Sequence, residues 1–309
     1  MKRILAAGAF LLALDLAASA YLYDLGVART SKEFLKQDPR LAQTKNALAF
    51  KEGHAWLDKQ PLETIEQTSF DGLKLRAYYL AAATPSNKTA ILTHGYSSQG
   101  RRMGAFARYY HDKLGYNVLM PDARGHGSSE GQYIGYGWHD RLDLLRWIDV
   151  AAQKTGSGAT LVLHGVSMGG ATVTMASGEK LPAAVKAIVS DCAFTSAEEV
   201  LTYHLDRMYH LPPFPLMPSV SLMTKIRAGY SFDEASAIAQ VRKAERPMLF
   251  IHGASDSFVP VEMVHRLYAA CPTEKDLLLV PNAEHGTSIA IDPVAYERKV
   301  SAFLAKYAR

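Results

Sequence analysis

The five residues Gly165-Val166-Ser167-Met168-Gly169 are the part of this chain best suited to chemistry. The apolar run Ala159-Thr160-Leu161-Val162-Leu163-His164 precedes them and reads as a buried strand. Gly170 to Ala176 follow, small and apolar enough to open a tightly packed helix. A serine between two glycines at a strand-to-helix turn is a nucleophile elbow. The turn is so sharp that the serine backbone is strained and only glycine fits on either side. It lifts the Ser167 hydroxyl out of the sheet and sets it at a helix N-terminus, where the dipole favours developing negative charge. Such a hydroxyl attacks carbonyl carbon once a base removes its proton and an acid orients the base.

Both partners have candidates downstream. Pro247-Met248-Leu249-Phe250-Ile251-His252-Gly253 reads as another buried strand, with Asp256 three residues past its glycine. Asp276-Leu277-Leu278-Leu279-Val280 reads as a further strand, and His285 follows in the loop Asn282-Ala283-Glu284-His285-Gly286. Serine, acid and histidine, each after a strand, stand in the order of the α/β-hydrolase triad. From about residue 64 to residue 309 the chain resembles that superfamily. The resemblance implies Ser167 as nucleophile, His285 as general base and Asp256 as the residue that holds its tautomer. Asp191, ending the strand Ala187-Ile188-Val189-Ser190, competes for the acid role; Asp256 has the commoner position and the G-x-x-D-x-x-V-P context from Gly253 to Pro260.

The resemblance also implies an oxyanion hole. The strand Ala90-Ile91-Leu92-Thr93 ends in His94-Gly95-Tyr96-Ser97-Ser98, and the backbone N–H groups of Tyr96 and Met168 are the expected donors. His94 is expected to be structural. After the strand Asn117 to Pro121, the run Asp122-Ala123-Arg124-Gly125-His126-Gly127-Ser128-Ser129 is expected to be a scaffold whose charged groups satisfy backbone beneath the site.

These residues must be carried by a large framework. With 309 residues and a hydrophobic fraction of 48%, one α/β domain with an insertion is expected. The implied fold is the α/β-hydrolase fold: a mostly parallel, doubly wound, eight-stranded sheet with a helical cap, the catalytic domain covering 63–309. Glu63 to Phe70 and Leu73 to Leu80, joined through Asp71-Gly72, read as a hairpin that starts the sheet. The strand–helix rhythm breaks over about 194–236, rich in methionine, proline and aromatics; this is the expected cap, suited to a hydrophobic acyl or aromatic substrate.

The N-terminus reads differently. Lys2 and Arg3 precede an apolar stretch from Ile4 to Tyr23, interrupted by Asp15. Positive charge ahead of such a stretch keeps the N-terminus inside and exports the rest. Three readings of 1–23 fit: an uncleaved single-pass anchor with the catalytic domain outside the cytoplasm, which is favoured; a signal peptide cleaved after Ala18-Ser19-Ala20, leaving a secreted enzyme; or a buried N-terminal helix in a cytoplasmic enzyme. Asp15 costs roughly 2.5–3.5 kcal/mol at a bilayer centre and less near an interface. Residues 24–62 read as a helical membrane-proximal linker, Pro39 starting its second helix.

The net charge of +4, with no basic run interleaved with aromatics, argues against a nucleic-acid partner. Neither a dinucleotide glycine fingerprint, a P-loop nor zinc-ligand spacing appears, and acyl transfer by serine needs no cofactor and no metal. Cys192 and Cys271 are read either as an exported disulfide or as two buried thiols. The resemblance extends to bacterial membrane-anchored hydrolases of the serine aminopeptidase and monoacylglycerol lipase-like group. It implies hydrolysis of a small ester or a short peptide, carboxylic esters first. For an aminopeptidase, Glu198 and Glu199 are candidates to hold a substrate amine. A non-catalytic surface binding protein on the same fold is the remaining alternative.

Overall fold

A computed structural model describes residues 2–309, with the side chains of 36, 37 and 45 outside that description. The strands are β1 (Glu63–Thr68), β2 (Lys74–Leu80), β3 (Lys88–Thr93), β4 (Asn117–Pro121), β5 (Thr160–Val166), β6 (Val185–Asp191), β7 (Met248–Gly253) and β8 (Lys275–Val280). They form one sheet in the order β1-β2-β4-β3-β5-β6-β7-β8. The β1–β2 and β2–β4 pairs are antiparallel, and the others are parallel. The sheet is the expected one, hairpin included. Strands β4, β5 and β7 are buried along their whole length, as a sheet covered on both faces demands.

Each face carries its own core. One, with Trp147, Leu163, Met175 and Phe250, lies under the helices Trp138–Thr155 and Met168–Ala176. The other, with Phe106, Tyr110, Val189 and Tyr296, lies under the C-terminal helix Pro293–Tyr307. Cys192 belongs to the second core and Cys271 to the first. Both are buried free thiols, so the disulfide alternative does not hold.

The connection after β6 contains two cap helices, Ala197–Tyr209 and Leu216–Ala228. Ser196 caps the first through the Glu199 amide. Between the N-terminal segment and β1, Pro39–Leu41 makes only a 3-10 turn, capped by the Asp38 side chain; the longer helix is Leu48–Leu57. Gly53 is packed against Gly104, and a Cβ there would lie 2.4 Å from the Ala105 nitrogen.

The N-terminal helix runs Lys2–Gly26, longer than the apolar stretch itself. Its first half projects away from the domain with Ile4, Leu5, Phe10, Leu11, Leu12 and Leu14 exposed. From Asp15 onward it packs along the second cap helix. Asp15 therefore has a partner that sequence does not reveal: Ser219 Oγ donates to its carboxylate at 2.6 Å.

The Asp122–Ser129 loop is a scaffold; Asp122 satisfies backbone as expected, whereas Arg124 bonds side chains instead. Asp122 accepts from the Gly100 and Ser128 amides, and buried Arg124 binds Asp143 through two nitrogens at 2.7 and 2.8 Å and also Asp71. Burial pushes the Asp143 carboxyl up to about 6, although Arg124 opposes the rise. Arg124→Met leaves that carboxylate buried and unpaired. It should destabilise the protein by about 3–5 kcal/mol at neutral pH, with a smaller loss near pH 5 where Asp143 takes up a proton, as read by denaturant unfolding in detergent.

Candidate active site

The elbow is built as the residue types require. Ser167 has φ 57° and ψ −117°, and its N–H donates to the Asp191 carbonyl at 2.8 Å. A Cβ on Gly165 would lie 2.0 Å from the Gly169 carbonyl oxygen, and one on Gly169 would lie 2.1 Å from the Thr93 oxygen. Both positions exclude every other residue. Met168 opens the helix Met168–Ala176, so its N–H has no acceptor within that helix. The loop after β3 is pressed against the serine: the Cβ site of Gly95 is 3.2 Å from Ser167 Cβ. Tyr96, the other expected oxyanion donor, follows Gly95 directly in that loop.

His285 and Asp256 converge on the serine from loops after β8 and β7. His285 Nε2 is 2.7 Å from Ser167 Oγ, and His285 Nδ1 is 2.7 Å from Asp256 Oδ2. A carboxylate only accepts, so Nδ1 carries the proton and Nε2 is left to accept from the serine hydroxyl. Asp256 Oδ1 accepts from the Phe258 and Val259 amides at 2.9 and 2.8 Å. Burial pushes the Asp256 carboxyl up, but the electrostatic interaction with His285 and the bonds from His252 and His285 outweigh it and hold it well below the usual carboxylate range.

His252 is a member that sequence reading passed over as a strand residue. Its Nε2 lies 3.1 Å from Asp256 Oδ2 and 3.0 Å from the Val259 carbonyl, so it braces the acid from behind. The signal was the four-residue spacing from His252, the penultimate residue of β7, to Asp256. Asp191 does not meet His285. Its carboxylate accepts from Tyr296 Oη at 2.9 Å within a buried set that includes His164. Its contribution to the elbow is its backbone carbonyl. His94 joins two loops, bonding the Gly95 carbonyl and the Ala123 amide.

The linker also enters the site. Gln43 Oε1 accepts from the Glu284 amide and the Thr287 hydroxyl, and the Thr44 hydroxyl donates to the His285 carbonyl. The loop that carries the histidine is thus tied to a segment 241 residues earlier in the chain.

Two cavities meet at Ser167. One, of about 930 Å³ including its mouth, is apolar. It is lined by both cap helices, by Phe258 and, unexpectedly, by Leu22, Leu25 and Val27 of the N-terminal segment. The other is a wider cleft, more polar than the first, with Arg29, Lys32, His54, Arg102 and His126 on its walls among apolar residues such as Phe50 and Phe106. Glu198 and Glu199 line neither. Glu198 is on the outer face of the cap, and Glu199 is bound by Arg266 and Thr195, which removes the expected amine site.

A model of the prolyl oligopeptidase family matches residues 103–309, two thirds of the chain. The protein belongs to the prolyl oligopeptidase family. The uncharacterized protein YqkD of Bacillus subtilis is 32% identical over 250 residues, 79% of this chain and 81% of its own. An uncharacterized membrane protein of Saccharomyces cerevisiae is 24% identical over 75% of this chain and 76% of its own. Among solved structures, an esterase of Pyrococcus furiosus superposes with a TM-score of 0.62 at 23% identity, covering 82% of this chain and 94% of its own. The acylaminoacyl peptidase of Pyrococcus horikoshii superposes at 0.60 with 16% identity, covering 82% of this chain and 43% of its own. This family member has the α/β-hydrolase fold and is a serine hydrolase of the esterase and peptidase type.

Within the family fold, Asp191 gives a test of the buried network that is independent of catalysis. Burial, opposed by the Tyr296 bond, raises its carboxyl from 3.8 to about 7. An acid whose folded pKa is raised stabilises the fold fully below its unfolded value, and that contribution is lost as pH rises toward the folded one. Across pH 4 to 7 the wild type should therefore lose roughly 2–4 kcal/mol relative to Asp191→Asn and then run parallel to it. Unfolding curves of the two proteins at pH 4.5, 6 and 8 check this; a constant difference would contradict it.

Proposed function

We infer that the protein is a membrane-anchored carboxylic ester hydrolase that acts on hydrophobic acyl substrates through an acyl-enzyme. The observation that carries this reading is the bonded relay from Ser167 through His285 to Asp256 at the junction of an apolar cavity and a polar cleft. The acyl chain occupies the cavity, and the alcohol part of the ester faces the cleft. Ser167 Oγ attacks the carbonyl carbon as its proton passes to His285 Nε2. The oxyanion is held by the Tyr96 and Met168 N–H groups. As the ester C–O bond breaks, the leaving alkoxide takes the proton from Nε2. Water, activated by the same nitrogen, then attacks the acyl carbonyl and releases the carboxylic acid, returning the proton to Ser167. Asp256 stays ionised throughout, braced by His252, and Phe258 covers the imidazole with ring centres 4.9 Å apart.

In this reading residues 1–23 anchor the chain, 24–62 link and dock, and 63–309 catalyse. Lys2 and Arg3 keep the N-terminus in the cytoplasm and leave the catalytic domain outside. The helix Lys2–Gly26 is long and apolar enough to cross a bilayer. The anchored reading is supported over cleavage after Ala20 because Ser19 is buried against the cap, and release of the helix would strip one wall from the cavity. Peptide hydrolysis is the second reading, favoured by the family match, although the apolar cavity and the engaged Glu199 speak for esters.

The test uses the full chain in detergent. A fluorophosphonate probe should label Ser167, and p-nitrophenyl esters should turn over ahead of aminoacyl p-nitroanilides. Ser167→Ala should lose label and roughly 10⁴-fold or more in kcat, His285→Ala nearly as much, and Asp256→Asn somewhat less. Anilide turnover alone would favour the peptidase. A folded protein with neither label nor turnover would favour a binding role, and a greater loss in Asp191→Asn than in Asp256→Asn would reverse the acid assignment.

A further inference from the structure

We propose that the N-terminal helix is one wall of the acyl site, and that this site opens sideways into the lipid, so that a single-chain acyl ester enters directly from the bilayer. The proposal deepens, and rests on, the membrane-anchored esterase reading above.

The pairing of helices supplies the argument. Asp15 is bonded to Ser219; eight residues later along both helices, the Tyr23 ring lies 5.0 Å from the Arg227 guanidinium, which also meets Asp24. The N-terminal helix and the second cap helix therefore run parallel and in register. If Tyr23 marks the outer interface, the register places Leu216 beside residue 12, about 16 Å deeper at 1.5 Å per residue. That is about half of a hydrocarbon core roughly 30 Å thick. The cap thus rides inside the outer leaflet rather than above it.

The surface of the cap fits that position. The segment Leu211-Pro212-Pro213-Phe214-Pro215 forms the deepest tip, with Phe214 76% exposed. Three of its five residues are prolines, which have no N–H to leave unsatisfied in lipid. Leu222 and Ile226 are exposed on the second cap helix, Ile226 at 76%. Lys225 and Arg227 stand at the Tyr23 end, where cations meet headgroups. The apolar cavity runs from Ser167 to Tyr209, two residues before this tip and 37% exposed: Leu22 and Leu25 line it from the N-terminal helix and Met217 from the second cap helix.

The test uses the full chain in 3:1 phosphatidylcholine–phosphatidylglycerol vesicles. Leu22→Trp narrows the cavity from the helix side and should lower the ratio of long-chain to acetate ester kcat/KM at least about tenfold. Leu22→Ala should shift the chain-length optimum upward, and Leu5→Trp, on the part of the helix that projects away from the cap, should match wild type. Fluorophosphonate labelling of Ser167 verifies that each variant is folded. If neither Leu22 variant moves the chain-length profile, the helix is not a wall of the site. For depth, Phe214→Cys carries a fluorophore, the two native cysteines being buried. Stronger quenching by nitroxides on the acyl chain than on the headgroup supports entry from the lipid, and headgroup-only or no quenching overturns it. Absence of label and ester turnover in the wild type would instead overturn the esterase reading itself.

Discussion

The backbone of one residue organises the centre of this protein. Ser167 holds a left-handed φ that a side chain tolerates only at a cost of about 1–3 kcal/mol. Its surroundings leave no other choice: Gly165 and Gly169 lie against backbone carbonyls, and the Ser167 amide is taken by the Asp191 carbonyl. That contact requires β6 beside β5, and the contact of Gly169 with Thr93 requires β3 on the other side. The serine is therefore exposed at one defined point along the sheet. The loops after β7 and β8 need only reach that point for a proton relay to form.

The relay itself is over-determined. Asp256 accepts two backbone amides and two imidazoles, so little freedom remains in the carboxylate, and its charge is held against the cost of burial. His285 is fixed at one nitrogen by that carboxylate and along its backbone by Thr44, while Gln43 secures the loop on either side. Segments that are remote in the chain thus converge on one imidazole, and the linker, a spacer by composition, contributes to its placement.

Much of this was legible in the residues. The elbow, the eight strands and the order of serine, acid and base follow from short apolar runs that end in characteristic turns. The choice of Asp256 over Asp191 for contact with His285 also follows, because the G-x-x-D-x-x-V-P run supplies the backbone amides that an acid needs there. What stayed hidden was long-range. An apolar stretch with one aspartate has the same composition whether lipid or a cap helix surrounds it, so the pairing of Asp15 with Ser219 left no local trace. His252 was obscured because a buried strand residue and a brace for a carboxylate look alike until the loop closes. Glu199 resembled a substrate ligand only while Arg266, 67 residues away, was out of view.

The end of the N-terminal helix carries a mechanical consequence. Its Gly26 carbonyl accepts two hydroxyls, from Tyr96 at 2.8 Å and from Tyr136 at 2.9 Å. Tyr96 belongs to the same short loop that presses against Ser167, so one residue joins the helix terminus to the loop by its side chain and to the elbow by its main chain. The helix end cannot tilt or slide relative to the domain without either rupturing those bonds or dragging the loop with it. On the membrane-anchored reading proposed above, thickness and lateral pressure of the lipid would act on the helix as forces, and this carbonyl would be the coupling that carries them to the loop beside Ser167.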